Sequence, residues 1–373
     1  MTTPAEFVEQ NQDLLLQTLK EMTCIPAPSR GEHRRAGYCL DRLSAWGVPG
    51  LHVDEAGNVV CTAFAAPEGE NALFMAHLDT VFPEETPLII RVDGSRWSCP
   101  GIGDDTVNAV LLMLAMKYMA ERGGQGAIFA LNTCEEGLGN LAGCRRLMAD
   151  FAPRLREVVS FDLYRDEVYT GCIGSLRYRI SVEVQGGHSF HDFGRPNAVA
   201  VLASAIDRLY RFAPPPGTHT TYNVGTLQGG TSVNVIAQQA SALFEYRSED
   251  ARALRACDKF LEGTLEGFMR PDVRVRLETV GERPCMGDVD AQAIREIAAV
   301  CSEAIEAETG VAPAWGRAST DCNIPLSMGI PAVCCGLCRG GGAHTREEWI
   351  ETESLKAGFR IAAELISAHF TGK

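Results

Sequence analysis

No stretch of eighteen consecutive apolar residues occurs in this 373-residue sequence, which excludes a membrane-spanning helix of ordinary length. Positive charge is also short. There are 34 Lys and Arg against 48 Asp and Glu, a formal net charge of −14. With no basic stripe to meet phosphates, nucleic acid and anionic membrane are not expected partners. The N-terminal stretch "MTTPAEFVEQNQDLLLQTLK" has no basic segment followed by an apolar run and a cleavage site; the expected compartment is the cytoplasm. Repeats, low-complexity tracts and long linkers are missing too. Cysteine is not scarce at 14 residues, but many sit in apolar runs, such as Cys334 and Cys335 in "IPAVCCG", where buried free thiols are expected rather than a disulfide framework. Cys335-Gly-Leu-Cys338 has no second pair of the same spacing, which argues against a zinc or redox pair. The glycine-rich "RGGGAH" lacks the Lys-Ser/Thr ending and following helix of a phosphate-binding loop, so nucleotide binding is rejected.

What is there is enough for two domains: 46% hydrophobic and 22% charged residues over this length supply two cores. Helical periodicity over Ala5 to Met22 and Glu32 to Trp46 is followed by the strands "NVVCTAF" and "NALFMAH". A helix over about Val107 to Arg122 stops at Gly123-Gly124. The strand "GAIFALNT", a helix around Leu141 to Asp150 and the strand "VVSFD" continue the alternation. Such alternation predicts an α/β catalytic domain with a mixed sheet covered by helices on both faces. After Gly174 the texture changes. "SLRYRISVEVQG" alternates with period two, and helices over Asn197 to Arg211 and Ala251 to Met269 are interleaved with "TTYNVGTLQGG", "ASALFEYRSE" and "VRVRLETV". This predicts an inserted α+β module with a four-stranded sheet at 175–284, between catalytic segments 1–174 and 285–373. The first texture resumes with the helix Ala291 to Thr309 and the strand "IPAVCCG".

Polar residues fall at particular places on that map. His77 and Asp79 end one buried strand. Asp104 and Asp105 sit in a glycine-rich loop before a helix, Glu135 and Glu136 follow "GAIFALNTC", Asp162 ends "VVSF", and His344 follows "IPAVCCGLCRGGGA". In open α/β sheets the carboxyl edge of the strands is where ligands bind. Carboxylates crowded there repel one another and raise their own pKa values unless a cation neutralises them. Two His with several Asp and Glu suit zinc or a similar divalent ion. Taken singly, a His-x-Asp is more often a surface pair, an Asp-Asp before a helix an N-cap, and a Glu-Glu a solvated helix start. Their joint arrival at one sheet edge favours a metal centre.

The ordered series "AHLDTV", "PGIGDD", "CEEGLGN", "FD", "GGHS", "GGTSVNVI", "STDCNIPLSMGIPAV" and "GGGAHTREEW" resembles the M20 metallopeptidases, a family of dinuclear zinc peptidases and amidohydrolases. The likeness runs from "IPAPSRGE" almost to the C-terminus. It implies two divalent metal ions per chain, zinc by the family and manganese or cobalt as alternatives, with His77 and Asp162 on one ion, Glu136 and His344 on the other, and Asp104 bridging. It implies Glu135 as general base, Asp79 as the residue that orients the His77 ring, and a cis peptide at Asp104-Asp105. His188 in "GGHSFHDFG" matches a lid histidine that, in dimeric relatives, reaches the partner's site to stabilise an oxyanion. Asn234 and Arg247 match lid positions that hold substrate carbonyl or carboxylate groups. The implied reaction is hydrolysis of a peptide or N-acyl amide bond in a small substrate. A di- or tripeptide exopeptidase of the aminopeptidase type is the first reading, an N-acyl-amino-acid amidohydrolase or a carboxypeptidase the second. A non-catalytic metal-dependent binder of a small ligand is the alternative from another class, against which the presence of Glu135 argues. The resemblance, with the edge strand a four-stranded sheet exposes, also implies a homodimer paired through the lid. Two departures stand out. Asp104-Asp105 runs into Thr106-Val107-Asn108 where many relatives have Lys-Gly, and "STDCNIP" has no Arg where carboxypeptidase-like relatives often carry one.

Overall fold

A computed structural model describes residues 2–67 and 70–369. The chain divides into two units, one formed by residues up to Cys172 and from Gly287 onward, the other by Ile173–Met286.

The larger unit opens with α1 (Pro4–Gln10) and α2 (Gln12–Thr23) where one continuous helix was expected. The break is at Asn11, whose φ of −112° leaves the helical region. Its side-chain amide donates to the carbonyl of Phe7 at 2.9 Å, so the residue closes the first helix with its own side chain. Next come α3 (His33–Ala45), β1 (Leu51–Val53), β2 (Val59–Cys61), β3 (Asn71–His77), β4 (Arg91–Asp93) and β5 (Arg96–Ser98). An irregular turn then leads into α4 (Val107–Arg122), β6 (Ala127–Asn132), α5 (Ala142–Phe151), β7 (Leu155–Phe161) and β8 (Glu167–Cys172).

The smaller unit contains β9 (Gly174–Val184), β10 (Gly187–His188), α6 (Ala198–Leu209), β11 (Thr220–Gly229), β12 (Val235–Ile236), β13 (Gln239–Ser248), α7 (Ala251–Glu266) and β14 (Val273–Arg283). The chain then returns to the larger unit through α8 (Ala291–Thr309), β15 (Ala314–Ala318), α9 (Asn323–Ser327), β16 (Ala332–Cys335), β17 (Gly340–Gly341), β18 (Trp349–Glu351) and α10 (Leu355–His369).

The main sheet has eight strands in the order β1-β2-β6-β3-β7-β16-β8-β15. Its four central strands, β6, β3, β7 and β16, are mutually parallel. Their carboxyl ends therefore share one rim. β3 and β6 are buried at every residue, and because successive side chains point to opposite faces, both faces of the sheet are covered. A second sheet, β17-β18-β5-β4, was not foreseen. Strands of two or three residues carry no readable period.

The smaller unit is a four-stranded antiparallel sheet, β11-β13-β9-β14. β13 alternates buried and half-buried residues along nearly its whole length. Its inward side chains, with Tyr178, Ile180 and Val182 of β9, pack against Leu202 of α6 and Leu261 of α7. All 14 cysteines are free, and only Cys24 is exposed. Among the described residues no helix is long and apolar enough to cross a membrane.

Candidate metal centre

β3 delivers His77 to the rim as a buried side chain. Its Nδ1 lies 3.0 Å from the main-chain carbonyl of Asp79, an acceptor only, so the ring proton belongs on Nδ1 and the Nε2 lone pair is left for a ligand. Nε2 lies 3.1 Å from Asp104 Oδ1 and 3.6 Å from Asp162 Oδ1. The Asp79 carboxylate is farther from the ring, 3.5 Å from Nδ1. It accepts the main-chain N–H groups of Glu135 and Glu136, both at 2.9 Å, and the Ser29 hydroxyl at 2.6 Å. The backbone of Asp79 thus orients His77 while its side chain fixes the two glutamates.

The turn before α4 is tight. Gly101 has φ of 71°, and a Cβ there would lie 2.6 Å from Thr80 Cγ2. The Asp104–Asp105 peptide is cis, as the resemblance implies. Asp104 then points one oxygen at each imidazole: Oδ1 at His77 and Oδ2 at His344 Nε2, 3.2 Å away. Asp105 turns the other way. Its Oδ2 accepts the His77 main-chain N–H at 2.9 Å and its Oδ1 the Asn108 amide at 2.6 Å.

β6 ends in Asn132, and two residues later Cys134 at φ 61° bends the chain. Its N–H is tied to Glu32 Oε1 at 2.9 Å. The bend brings Glu135 and Glu136 to the rim, with Glu136 Oε1 3.1 Å from His344 Nε2. Asp162 follows β7, and its N–H donates to the carbonyl of Cys335 at the end of β16. Donor atoms of His77, Glu135 and Glu136, of His77, Asp105 and Asp162, and of Asp104, Glu136 and His344 lie within 4.8 Å of one another in each set.

The charges at the rim favour a cation. Burial disfavours charge on His77, yet Asp105, Asp104, Asp162 and Asp79 together hold its pKa well above the ordinary value. His344, facing Asp104 and Glu136, is raised to about 10. Burial pushes Glu136 up, with Asp104 adding to it. Burial opposes ionisation of Asp104, but the two imidazoles hold its carboxyl below the usual range. A carboxylate cluster that draws protons onto its imidazoles is one a divalent ion would stabilise. Asp162 Oδ1 is buried with no hydrogen-bond partner among the described residues, so the donor set fits divalent cations.

Residues 73–368 match the profile of Peptidase family M20/M25/M40. The chain belongs to this family. It is 27% identical to a Mycobacterium tuberculosis (strain CDC 1551 / Oshkosh) protein provisionally named succinyl-diaminopimelate desuccinylase DapE, over 93% of this chain and 95% of that one. It is 24% identical to carboxypeptidase G2 of Pseudomonas sp. (strain RS-16), over 82% and 75%. The fold is similar to that of a tripeptidase from Staphylococcus aureus subsp. aureus Mu50, with a TM-score of 0.75, 20% identity and coverage of 95% and 97%. M20 membership makes the chain a metal-dependent hydrolase.

The positions that the sequence resemblance matched to a lid lie in the smaller unit. His188 and Val235 pair across the β10–β12 ribbon, and Ser189 N–H donates to the Asn234 carbonyl at 3.1 Å, so His188 and Asn234 are neighbours. His188 is exposed, and its Nδ1 accepts the Phe190 N–H at 3.2 Å, which leaves the neutral ring's proton on Nε2 as an outward donor. Arg247 on β13 is paired with Glu245 at 3.0 Å.

Sequence reading of the M20 motifs missed several supporting groups. Arg35 is fully buried and donates to the carbonyls of Ile25 and Leu78 and to Thr106 Oγ1. Asn132 donates to Asp321 at 2.5 Å. Glu348, also buried, receives three main-chain N–H groups from the turn that carries Asp104. Nothing in "GEHRRAG" or "TREEWI" separates these charges from solvated neighbours, because their partners, main-chain groups and the Thr106 hydroxyl, are brought to them only by the fold.

Proposed function

We propose that the chain is a dinuclear-metal hydrolase cleaving the peptide or N-acyl amide bond of a small substrate, with di- and tripeptides first. The observation that carries this reading is Asp104, whose two oxygens lie 3.1 Å from His77 Nε2 and 3.2 Å from His344 Nε2. A carboxylate spread between two imidazoles, each with a further acid beside it, is the donor pattern of a shared ligand. His77 and Asp162 would hold one cation, Glu136 and His344 the other; zinc heads the candidates, with manganese and cobalt next. Such a pair supplies Lewis acidity to a carbonyl oxygen and makes water a better nucleophile at neutral pH.

Glu135 takes a proton from the attacking water and delivers it to the departing amine nitrogen. Asp79 keeps Glu135 in place by holding its N–H. His188, with Nε2–H turned outward, donates to the tetrahedral oxyanion in the site of a second copy, and Asn234 and Arg247 hold the substrate's carbonyl and carboxylate oxygens. The products are a carboxylate and a free amine.

An N-acyl-amino-acid substrate is the second reading, favoured by the 27% identity to the protein provisionally named as a desuccinylase. Stripped protein reloaded with zinc, manganese or cobalt, then offered dipeptides, tripeptides and N-acetyl or N-succinyl amino acids, tests both. Amine release is expected with peptides first. No product from any substrate with any metal would overturn the proposal.

A further inference from the structure

Glu348 is buried without any exposed surface, and its carboxylate sits inside the turn that carries Asp104. Oε2 accepts the N–H of Gly101 at 2.6 Å, while Oε1 accepts those of Gly103 at 2.8 Å and Asp104 at 2.6 Å. The backbone on either side is fixed as well. Cys99 N–H donates to the Glu348 carbonyl at 3.0 Å, and Trp349 pairs with Ser98 where β18 meets β5. The segment from β5 to Asp104 is thus laid along the segment from Glu348 to Glu351. Tyr164 closes the other side of the turn: a Cβ on Gly103 would lie 2.8 Å from both Glu348 Oε1 and the Tyr164 ring.

We propose that Glu348 is a positioning residue for the metal centre, holding the Asp104 backbone so that the two carboxylate oxygens reach two cations at once. This rests on the reading of Asp104 as the shared ligand. Glu348 lies four residues after His344, so one short segment carries both a ligand and the group that places the bridge. Carboxylate chemistry is required, because every partner is a donor. A glutamine would turn its NH2 toward one of the three N–H groups, and an alanine would leave all three unpaired. Placing a second buried carboxylate beside Asp104 is electrostatically unfavourable. Cations on Asp104 would offset that repulsion, which makes the group part of the loaded centre and more than a loop tie.

The test compares Glu348→Ala, Glu348→Gln and Asp104→Asn, each stripped and reloaded with manganese. Metal content, the electron paramagnetic resonance spectrum and steady-state kinetics are then measured. The wild type should show an exchange-coupled manganese pair. Glu348→Ala should show uncoupled ions, and kcat lowered by at least about tenfold with KM changed less than about twofold. Glu348→Gln should fall between them; should the alanine variant fail to fold, the glutamine variant alone decides. Coupled pairs and unchanged kcat in the folded Glu348 variants, with Asp104→Asn uncoupled, would overturn this inference and leave the bridge standing. A coupled pair in Asp104→Asn would overturn the bridge reading itself.

Discussion

Asp79 binds the backbone of Glu136: its Oδ2 accepts the Glu136 main-chain N–H at 2.9 Å. Its Oδ1 does the same for Glu135. One carboxylate therefore sets the positions of the proposed base and of a proposed ligand together. In Asp79→Ala two buried N–H groups lose their acceptor, a penalty of about 1–3 kcal/mol each. We expect kcat/KM to fall about 10–100-fold, measured on the best substrate of the peptide panel. Unchanged kinetics would show that the glutamates are held by other contacts.

Elemental mass spectrometry of the purified protein should find up to two divalent ions per chain. His77→Ala and His344→Ala should each lower that number, because each imidazole faces a different oxygen of Asp104. Full occupancy in both variants would sink the ligand assignment.

Glu135→Gln and Glu136→Gln should separate cleanly although the residues are adjacent. The first should keep its metals and lose turnover by at least about a hundredfold. The second should lose metal, since Glu136 Oε1 is the oxygen facing His344. The opposite pattern would mean the two roles are exchanged.

Asp321 gives a pH signature in metal-free protein. Burial, reinforced by Asp162 and Asp79 against the pull of His77 and Asn132, raises its carboxyl to about 7. In the unfolded chain the group ionises near its ordinary value of about 4. Between those values the folded state binds more protons than the unfolded one, so stability falls as pH rises through the window. Asp321→Asn removes that loss. Its thermal midpoint relative to wild type should rise between about pH 4.5 and about pH 7.5, by calorimetry in chelator. A difference independent of pH would refute the assignment.

Sedimentation should find a dimer. β11 is an edge of its sheet and largely exposed from Thr221 to Gly229, an available pairing surface. A strict monomer with full activity would defeat the role of His188 in a second copy's site.

Much of the rim was legible in the sequence because parallel strands leave long apolar runs. β3 and β6 are such runs, and the polar residues that stop them mark the edge. The smaller unit was legible from the period-two pattern of β9 and β13. Contacts made through backbone were not. That Asp79 would grip two N–H groups, that Glu348 would sit inside a turn from residue 101 to 104, and that Arg35 would leave the exposed face of α3 all depend on tertiary partners. The break at Asn11 was hidden because Asn is compatible with a helical pattern until its side chain takes the carbonyl of Phe7.

Thirteen cysteines are sealed in the interior and Cys24 alone lies at the surface. A thiol reagent added to the folded protein should therefore count to one and then slow sharply, since every later modification must wait for the chain to open. Cys257 and Cys285 lie in the smaller unit, and Cys144 and Cys334 in the larger. Nature has thus left a built-in stopwatch in each half of the molecule, and peptide mapping of the labelled sites would read which half opens first.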